Sequence, residues 1–95
     1  MEEQKIELYL KRQVESIGGK AYKFTSPGVR GVPDRIVILP GGKIFFIELK
    51  APGKKLRPLQ RVVHKQLKKL GCNVLTIDSK EIVDKFIEKV SSNDI

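Results

Sequence analysis

The chain has 95 residues, 40% of them hydrophobic and 32% charged, with 19 Lys and Arg against 11 Asp and Glu for a net charge of +8. This composition suits one small folded domain with a single modest core; no apolar run approaches the roughly 18 residues of a membrane span, and the N-terminus lacks a signal-peptide pattern. The basic balance favours a polyanionic partner, nucleic acid first, the plain alternative being a well-solvated surface.

In chain order, Glu2 to about Gly18 reads as a helix. Ile6, Tyr9 or Leu10, Val14 and Ile17 recur at helical spacing, and Gly18-Gly19 supplies the stop. Glu3 and Glu7 lie near the same face as Ile6 and Leu10. For an arbitrary helix, both would be solvated acids. Lys20 to Phe24 reads as a short strand, and Thr25 to Gly31 as a loop turning at Pro27-Gly28. Arg30 and the glycines of that loop suit close approach of a phosphate; the alternative is an ordinary surface arginine.

Two apolar runs follow. Ile36-Val37-Ile38-Leu39 and Ile44-Phe45-Phe46-Ile47 flank Pro40-Gly41-Gly42, a hairpin signal. With little polar alternation, such strands are expected to be covered on both faces. Asp34 opens the first strand, and Glu48 and Lys50 close the second. Charge at the end of a buried strand is costly unless it is paired or binds something. A three-residue loop centred on Gly41 places Asp34 opposite Glu48, with Lys50 on the same face. A two-residue Gly41-Gly42 turn would pair Asp34 with Leu49 and split the carboxylates across the sheet.

Ala51 to Lys55 is a loop carrying the adjacent cations Lys54 and Lys55. A helix starts near Pro58, with a predicted apolar stripe of Leu59, Val62 or Val63, Leu67 and Leu70, and stops at Gly71. Arg57 stands where Ser or Asp would cap better. Arg61, Lys65, Lys68 and Lys69 read mostly as a solvated face. Lys54, Lys55 and Arg57, nearer the charged strand ends, are better placed for phosphate contacts. Gln60 lies in the first helical turn, and the lone His64 reads as structural.

Lone Cys72 has no internal disulfide partner. Beside Val74 and Leu75 it reads as core filler, and a reducing compartment fits. Asn73 to Ile77 is a strand expected beside and parallel to the Glu48 strand, with the intervening helix as crossover. Asp78 to Glu81 reads as a capping box with Asp78 as cap. Ile82, Val83, Phe86, Ile87 and Val90 make the last helix amphipathic, and Ser91 to Ile95 reads as a frayed tail. The order is α-β-β-β-α-β-α, an α/β domain.

Pro33-Asp34 followed by Glu48-Leu49-Lys50 resembles the signature of the PD-(D/E)XK nuclease superfamily. That pattern alone is weak. A longer string is more specific: Lys23, Ser26-Pro27-Gly28, Arg30 to Arg35, Phe46 to Lys54, and Gln60. Together these resemble the virus-type replication-repair nuclease (VRR-NUC) domain, from about Glu3 to Val90, in its stand-alone phage or bacterial type. The resemblance implies a restriction-endonuclease-like α-β-β-β-α-β core with a mixed central sheet flanked by helices, plus a C-terminal helix.

It also implies metal-dependent hydrolysis of DNA phosphodiesters. Asp34, Glu48, Lys50 and Gln60 would be catalytic. Asp34, Glu48, the main-chain carbonyl of Leu49 and a first-helix glutamate would hold Mg²⁺ or Mn²⁺. Glu7 is preferred for that glutamate over Glu3 because it lies one turn deeper. Arg30, Lys54, Lys55 and Arg57 would bind DNA. The implied substrate is branched DNA, a four-way junction above all, cut by a homodimer in the cytoplasm of a bacterium or phage-infected cell. Three alternatives stand beside this reading. The charged triad is a structural ion pair, the chain is a non-catalytic DNA-binding module, or it is the nuclease subunit of a larger replication or repair assembly.

Overall fold

The computed structural model describes residues 2–92. The elements are α1 (Glu3–Ser16), β1 (Lys20–Lys23), β2 (Arg35–Leu39), β3 (Lys43–Leu49), α2 (Pro58–Lys69), β4 (Asn73–Ile77) and α3 (Lys80–Ser91). This is the expected order. The strands form a four-stranded sheet in the order β1-β2-β3-β4. β1, β2 and β3 pair antiparallel, and β4 pairs parallel to β3 across the α2 crossover. Among the described residues no helix is long and apolar enough to cross a membrane.

The hairpin has the odd-length loop. Leu39 pairs with Lys43 and Arg35 with Ile47, so Pro40, Gly41 and Gly42 form the turn. The Gly42 N–H closes it on the Leu39 carbonyl at 3.0 Å, and Gly41 and Gly42 both hold positive φ. The same register carried one residue further sets Asp34 opposite Glu48. The Phe24 N–H to Asp34 carbonyl bond, at 2.7 Å, carries the β1–β2 pairing to that position.

Residues paired across a ladder share a face. On one face Val37, Leu39, Phe45, Ile47, Leu49 and Ile77 are buried under α1 and α3. α1 contributes Ile6, Leu10 and Val14, each fully buried. Burial of a large aliphatic side chain is worth about 1.5–3 kcal/mol. Three of them hold down a helix that would be marginal alone. α3 contributes Val83, Phe86 and Val90, with Phe86 edge-on to Phe45 at 5.1 Å between ring centroids.

The other face is not covered throughout, contrary to the expectation from the apolar runs. Tyr22, Ile38 and Ile44 are exposed there. α2 packs on β4 at one side of that face and leaves the β1–β2 side open. Its buried residues are Val63 and His64. Of the predicted apolar stripe, Val63 is buried and Leu67 half-buried, while Leu59, Val62 and Leu70 face solvent. A helix lying over a sheet edge buries a narrow strip, and the tertiary placement decides which strip.

Smaller differences concern ends. α1 stops at Ser16, with the Gly18 N–H bonded to the Glu15 carbonyl. Ser79, not Asp78, caps α3 by accepting the Ile82 N–H at 3.2 Å. β4 ends at Ile77, so Asp78 serves as the connector and accepts the Gly53 N–H instead. Cys72 is half-buried at the rim of β4 rather than in the core. Ser91 closes α3; the rest of the expected tail, 93–95, lies outside the described residues.

Gly31 joins the β2 approach to α2. Its φ is +91°, and a Cβ there would sit 2.9 Å from the Leu59 carbonyl oxygen. Gly31→Ala should therefore cost about 2 kcal/mol or more, combining left-handed strain with displacement of α2. Gly28→Ala, at a position with no atom within 4 Å of the added carbon, should stay within about 0.5 kcal/mol of the parent. Thermal denaturation of the two variants checks this; equal stabilities would show that α2 is not seated on Gly31.

Candidate active site

The centre of the site is Glu48, 2% exposed, near the end of β3. Its Oε2 accepts a hydrogen bond from Gln60 Nε2 at 3.1 Å and lies 3.6 Å from Lys50 Nζ. Its Oε1 is buried with no hydrogen-bond partner, and His64 Nε2, 3.9 Å away, is likewise unpartnered. Burial first, and then the negative charge of Asp34, push the Glu48 carboxyl up from 4.5 to about 7. Lys50 opposes this without compensating for it.

Asp34 sits just before β2, and its Oδ2 accepts the Leu49 N–H at 3.0 Å. That bond ties the Leu49 peptide to the carboxylate opposite Glu48. Lys50 continues the parallel ladder, its N–H bonded to the Ile77 carbonyl. Two strands thus hold Asp34, Glu48 and Lys50 at one end of one sheet face, with Leu49 between the last two.

Gln60 arrives from α2 and is held from two sides. Its Oε1 accepts the Arg57 N–H at 2.9 Å while its Nε2 donates to Glu48. Arg57 is a poor cap by side chain, and Gln60 meets the need from the third helical position. The amide is thus oriented by its own helix start before it meets the carboxylate.

His64 lies one turn after Gln60, and the sequence alone reads it as structural. The structure places it 3% exposed against Glu48. Burial, and then the charge of Lys68, lower its pKa from the usual imidazole value. The one sequence signal for it was the four-residue step from Gln60, which puts both on one helical face.

Glu7 is engaged elsewhere. Its carboxylate receives Arg35 in two contacts, from Nη2 at 2.9 Å and Nε at 3.2 Å. Arg35 is itself buried and also reaches the Ala21 carbonyl. Composition gave no warning of this pair, because the two residues are brought together only by packing α1 on β2. Glu3, Glu7 and Asp34 do line one small cavity of about 200 Å³ with Lys23, Phe24 and Thr25. Arg30, Lys54, Lys55 and Arg57 are all exposed.

Among the described residues, no three His, Cys, Asp or Glu side chains form a ready-made metal cage. The donors that meet at the strand ends are the two carboxylates Asp34 and Glu48, both hard oxygen ligands. An unpartnered buried carboxylate oxygen with a raised pKa fits a cation, which would replace the lost hydration. A magnesium-like ion that keeps several waters needs no fuller protein cage.

The raised pKa has a consequence for the metal-free protein. Its stabilising contribution is full below about pH 4.5 and is lost as pH rises through about 7, because the unfolded carboxylate ionises first. In a chelator, Glu48→Gln should melt near the parent at pH 4.5 and above it at pH 8, by about 5 °C or more for a domain of this size. A difference that does not change between those pH values would remove the electrostatic account.

No protein-family model matches the chain. "Putative nuclease p44" of Acyrthosiphon pisum secondary endosymbiont phage 1 is 54% identical over 80 residues, which is 84% of this chain and 86% of that protein. A solved structure described as a VRR_NUC domain superposes with a TM-score of 0.85 at 39% identity, covering 90% of this chain and 94% of that one. That combination of identity and coverage carries the family together with the fold: the chain belongs to the virus-type replication-repair nuclease (VRR-NUC) family.

Proposed function

We propose that this protein is a metal-dependent DNA endonuclease selective for branched DNA, working as a homodimer in the manner of a junction resolvase. The observation that supports it most is Glu48. A carboxylate is buried at a strand end with one oxygen unpartnered, Asp34 opposite, and a lysine and a glutamine turned toward it. An ion pair of Glu48 with Lys50 accounts for Oε2 and leaves the buried Oε1 without a partner. Family membership and the name of the phage relative point the same way.

Asp34, Glu48 and the Leu49 carbonyl would hold a Mg²⁺ or Mn²⁺ ion, with Glu7, itself paired with Arg35, contributing directly or through water. Such an ion, when bound, neutralises charge on the phosphoryl oxygens and lowers the pKa of a coordinated water. Lys50 orients the attacking water or stabilises the negative charge on the phosphoryl oxygens of the pentavalent transition state. Gln60 holds Glu48 Oε2 while Oε1 has no protein partner, so Glu48 would have a free oxygen to offer such an ion. The water oxygen bonds to phosphorus and releases a proton to bulk solvent as the bond to the leaving sugar oxygen breaks, and that oxygen takes up a proton from solvent. Arg30, Lys54, Lys55 and Arg57 contact phosphates and contribute position rather than sequence.

The dimer follows from the substrate. A four-way junction needs two symmetric cuts, and one domain of this size supplies one site; a two-fold pair supplies two. The open sheet face with exposed Tyr22, Ile38 and Ile44 is apolar surface of the kind that self-association covers.

The test is incubation with a labelled four-way junction, a flap, a duplex and a single strand in Mg²⁺, Mn²⁺ or a chelator. Metal-dependent paired cuts in the junction are expected. Asp34→Ala and Lys50→Ala should each reduce cutting by about a hundredfold or more. Lys50→Ala should also keep the fold. DNA binding without any cut, equal in all three proteins, would leave a binding module. In sedimentation the expected species is the dimer; a monomer at the working concentration would count against junction resolution.

A further inference from the structure

α2 has three distinct sides. Gln60, Val63 and His64 face the body of the protein, and Leu59, Val62 and Leu70 are exposed on one flank. The other flank carries Arg57, Arg61, Lys65 and Lys68, spaced four, four and three residues apart, which puts them on one line about 16 Å long. All four are exposed. We propose that this line binds the sugar–phosphate backbone of a duplex arm leading away from the strand-end site. The inference rests on the nuclease reading for the direction of that arm.

The line lies on the flank of α2 that adjoins the site-facing side. Arg61 and Lys65 each follow by one position a residue in contact with Glu48, namely Gln60 and His64. Lys68 is close enough to His64 for its charge to lower the histidine pKa. The row therefore starts beside the Arg57–Gln60–Glu48 chain of hydrogen bonds and runs outward.

Its electrostatics are unfavourable in the free protein. α2 holds no Asp or Glu, and no ion pair among the described residues involves any of the four cations. Like charges four apart on a helix repel each other and destabilise it. Arg57 and Arg61 also stand at the positive end of the helix dipole. Arg61 rests two guanidinium nitrogens on the Leu56 carbonyl at 3.4 Å, so it is oriented without being neutralised. A row of phosphates relieves every one of these terms.

Duplex rather than single strand follows from what the row lacks. Single-strand grooves combine cations with aromatic rings on which bases stack. α2 carries no Phe, Tyr or Trp and its His64 is buried, and exposed Tyr22 is on β1, at the opposite edge of the sheet. A straight, convex line of cations meets phosphates and leaves the bases unread.

Fluorescence anisotropy in EDTA, where no cutting occurs, tests this with a duplex and a single strand of about 20 nucleotides. The variants are Arg61→Ala/Lys65→Ala/Lys68→Ala and a control of equal charge loss, Lys11→Ala/Lys85→Ala/Lys89→Ala, all at exposed helical positions. The α2 triple should lose about tenfold or more in duplex affinity, and its slope of log K against log salt should fall by about 2–3. The control should stay within about threefold. Equal losses in both triples, or a single strand held as tightly as the duplex through the same residues, would overturn the proposal. Cleavage of bis(p-nitrophenyl) phosphate with Mn²⁺ separates the two readings. The α2 triple should retain it, and its absence in the wild type would defeat the nuclease reading while the metal-free binding result still decides the track.

Discussion

A carboxylate buried at the end of a central strand is the constraint around which this small domain is arranged. Glu48 is almost inaccessible, and removing a charge from water is among the largest unfavourable terms a fold of this size can carry. The structure offsets it only in part. Gln60 and Lys50 serve one oxygen, and the other has no hydrogen bond. Asp34 then raises the cost further by adding a second negative charge. A domain with a single modest core tolerates such a group only if the surrounding backbone is rigid. The two-sided pairing of β3 supplies that rigidity, with β2 antiparallel on one side and β4 parallel on the other.

The supporting elements each solve a local problem and position a side chain at the same time. The Pro40-Gly41-Gly42 turn closes the hairpin and thereby sets Asp34 opposite Glu48. Gly31 lets the backbone pass against Leu59 and so brings the start of α2 close to the strand ends. Gln60 caps α2 through the Arg57 N–H and offers its other end to Glu48. Arg35 neutralises Glu7 under α1 and leaves the neighbouring Asp34 free of that pair. Stability is concentrated on the face beneath α1 and α3. The half-open opposite face holds the charged groups, which is the ordinary division between scaffold and site.

α2 carries chemistry on each of its sides. One side closes over Glu48 with Gln60 and His64, one shows apolar residues to solvent, and one shows only positive charge. Helical spacing makes this possible, since residues three and four apart share a side and residues one apart do not. The same spacing explains why its stripe was hard to assign. Leu59, Val62, Leu67 and Leu70 form a regular apolar pattern, and so do Val63 and Leu67. Periodicity reports that an apolar side exists but not which of two overlapping sides meets the sheet.

Element order, the hairpin and its two possible registers, the parallel fourth strand and the strand-end carboxylates were all legible in the sequence. They depend on local rules: turn residues, the alternation of side chains along a strand, and the crossover a parallel pair requires. The motif residues were legible as a set because their spacing is carried by two strands and one helical turn. Tertiary structure alone decided the rest. It left one sheet face half open and partnered Glu7 with Arg35. It gave α3 its cap at Ser79, the residue that β4's end leaves free, and it buried His64 beside Glu48. Each of those outcomes depends on where one element lands on another. Short-range spacing does not encode that landing, which is fixed by the packing of side chains far apart in the chain.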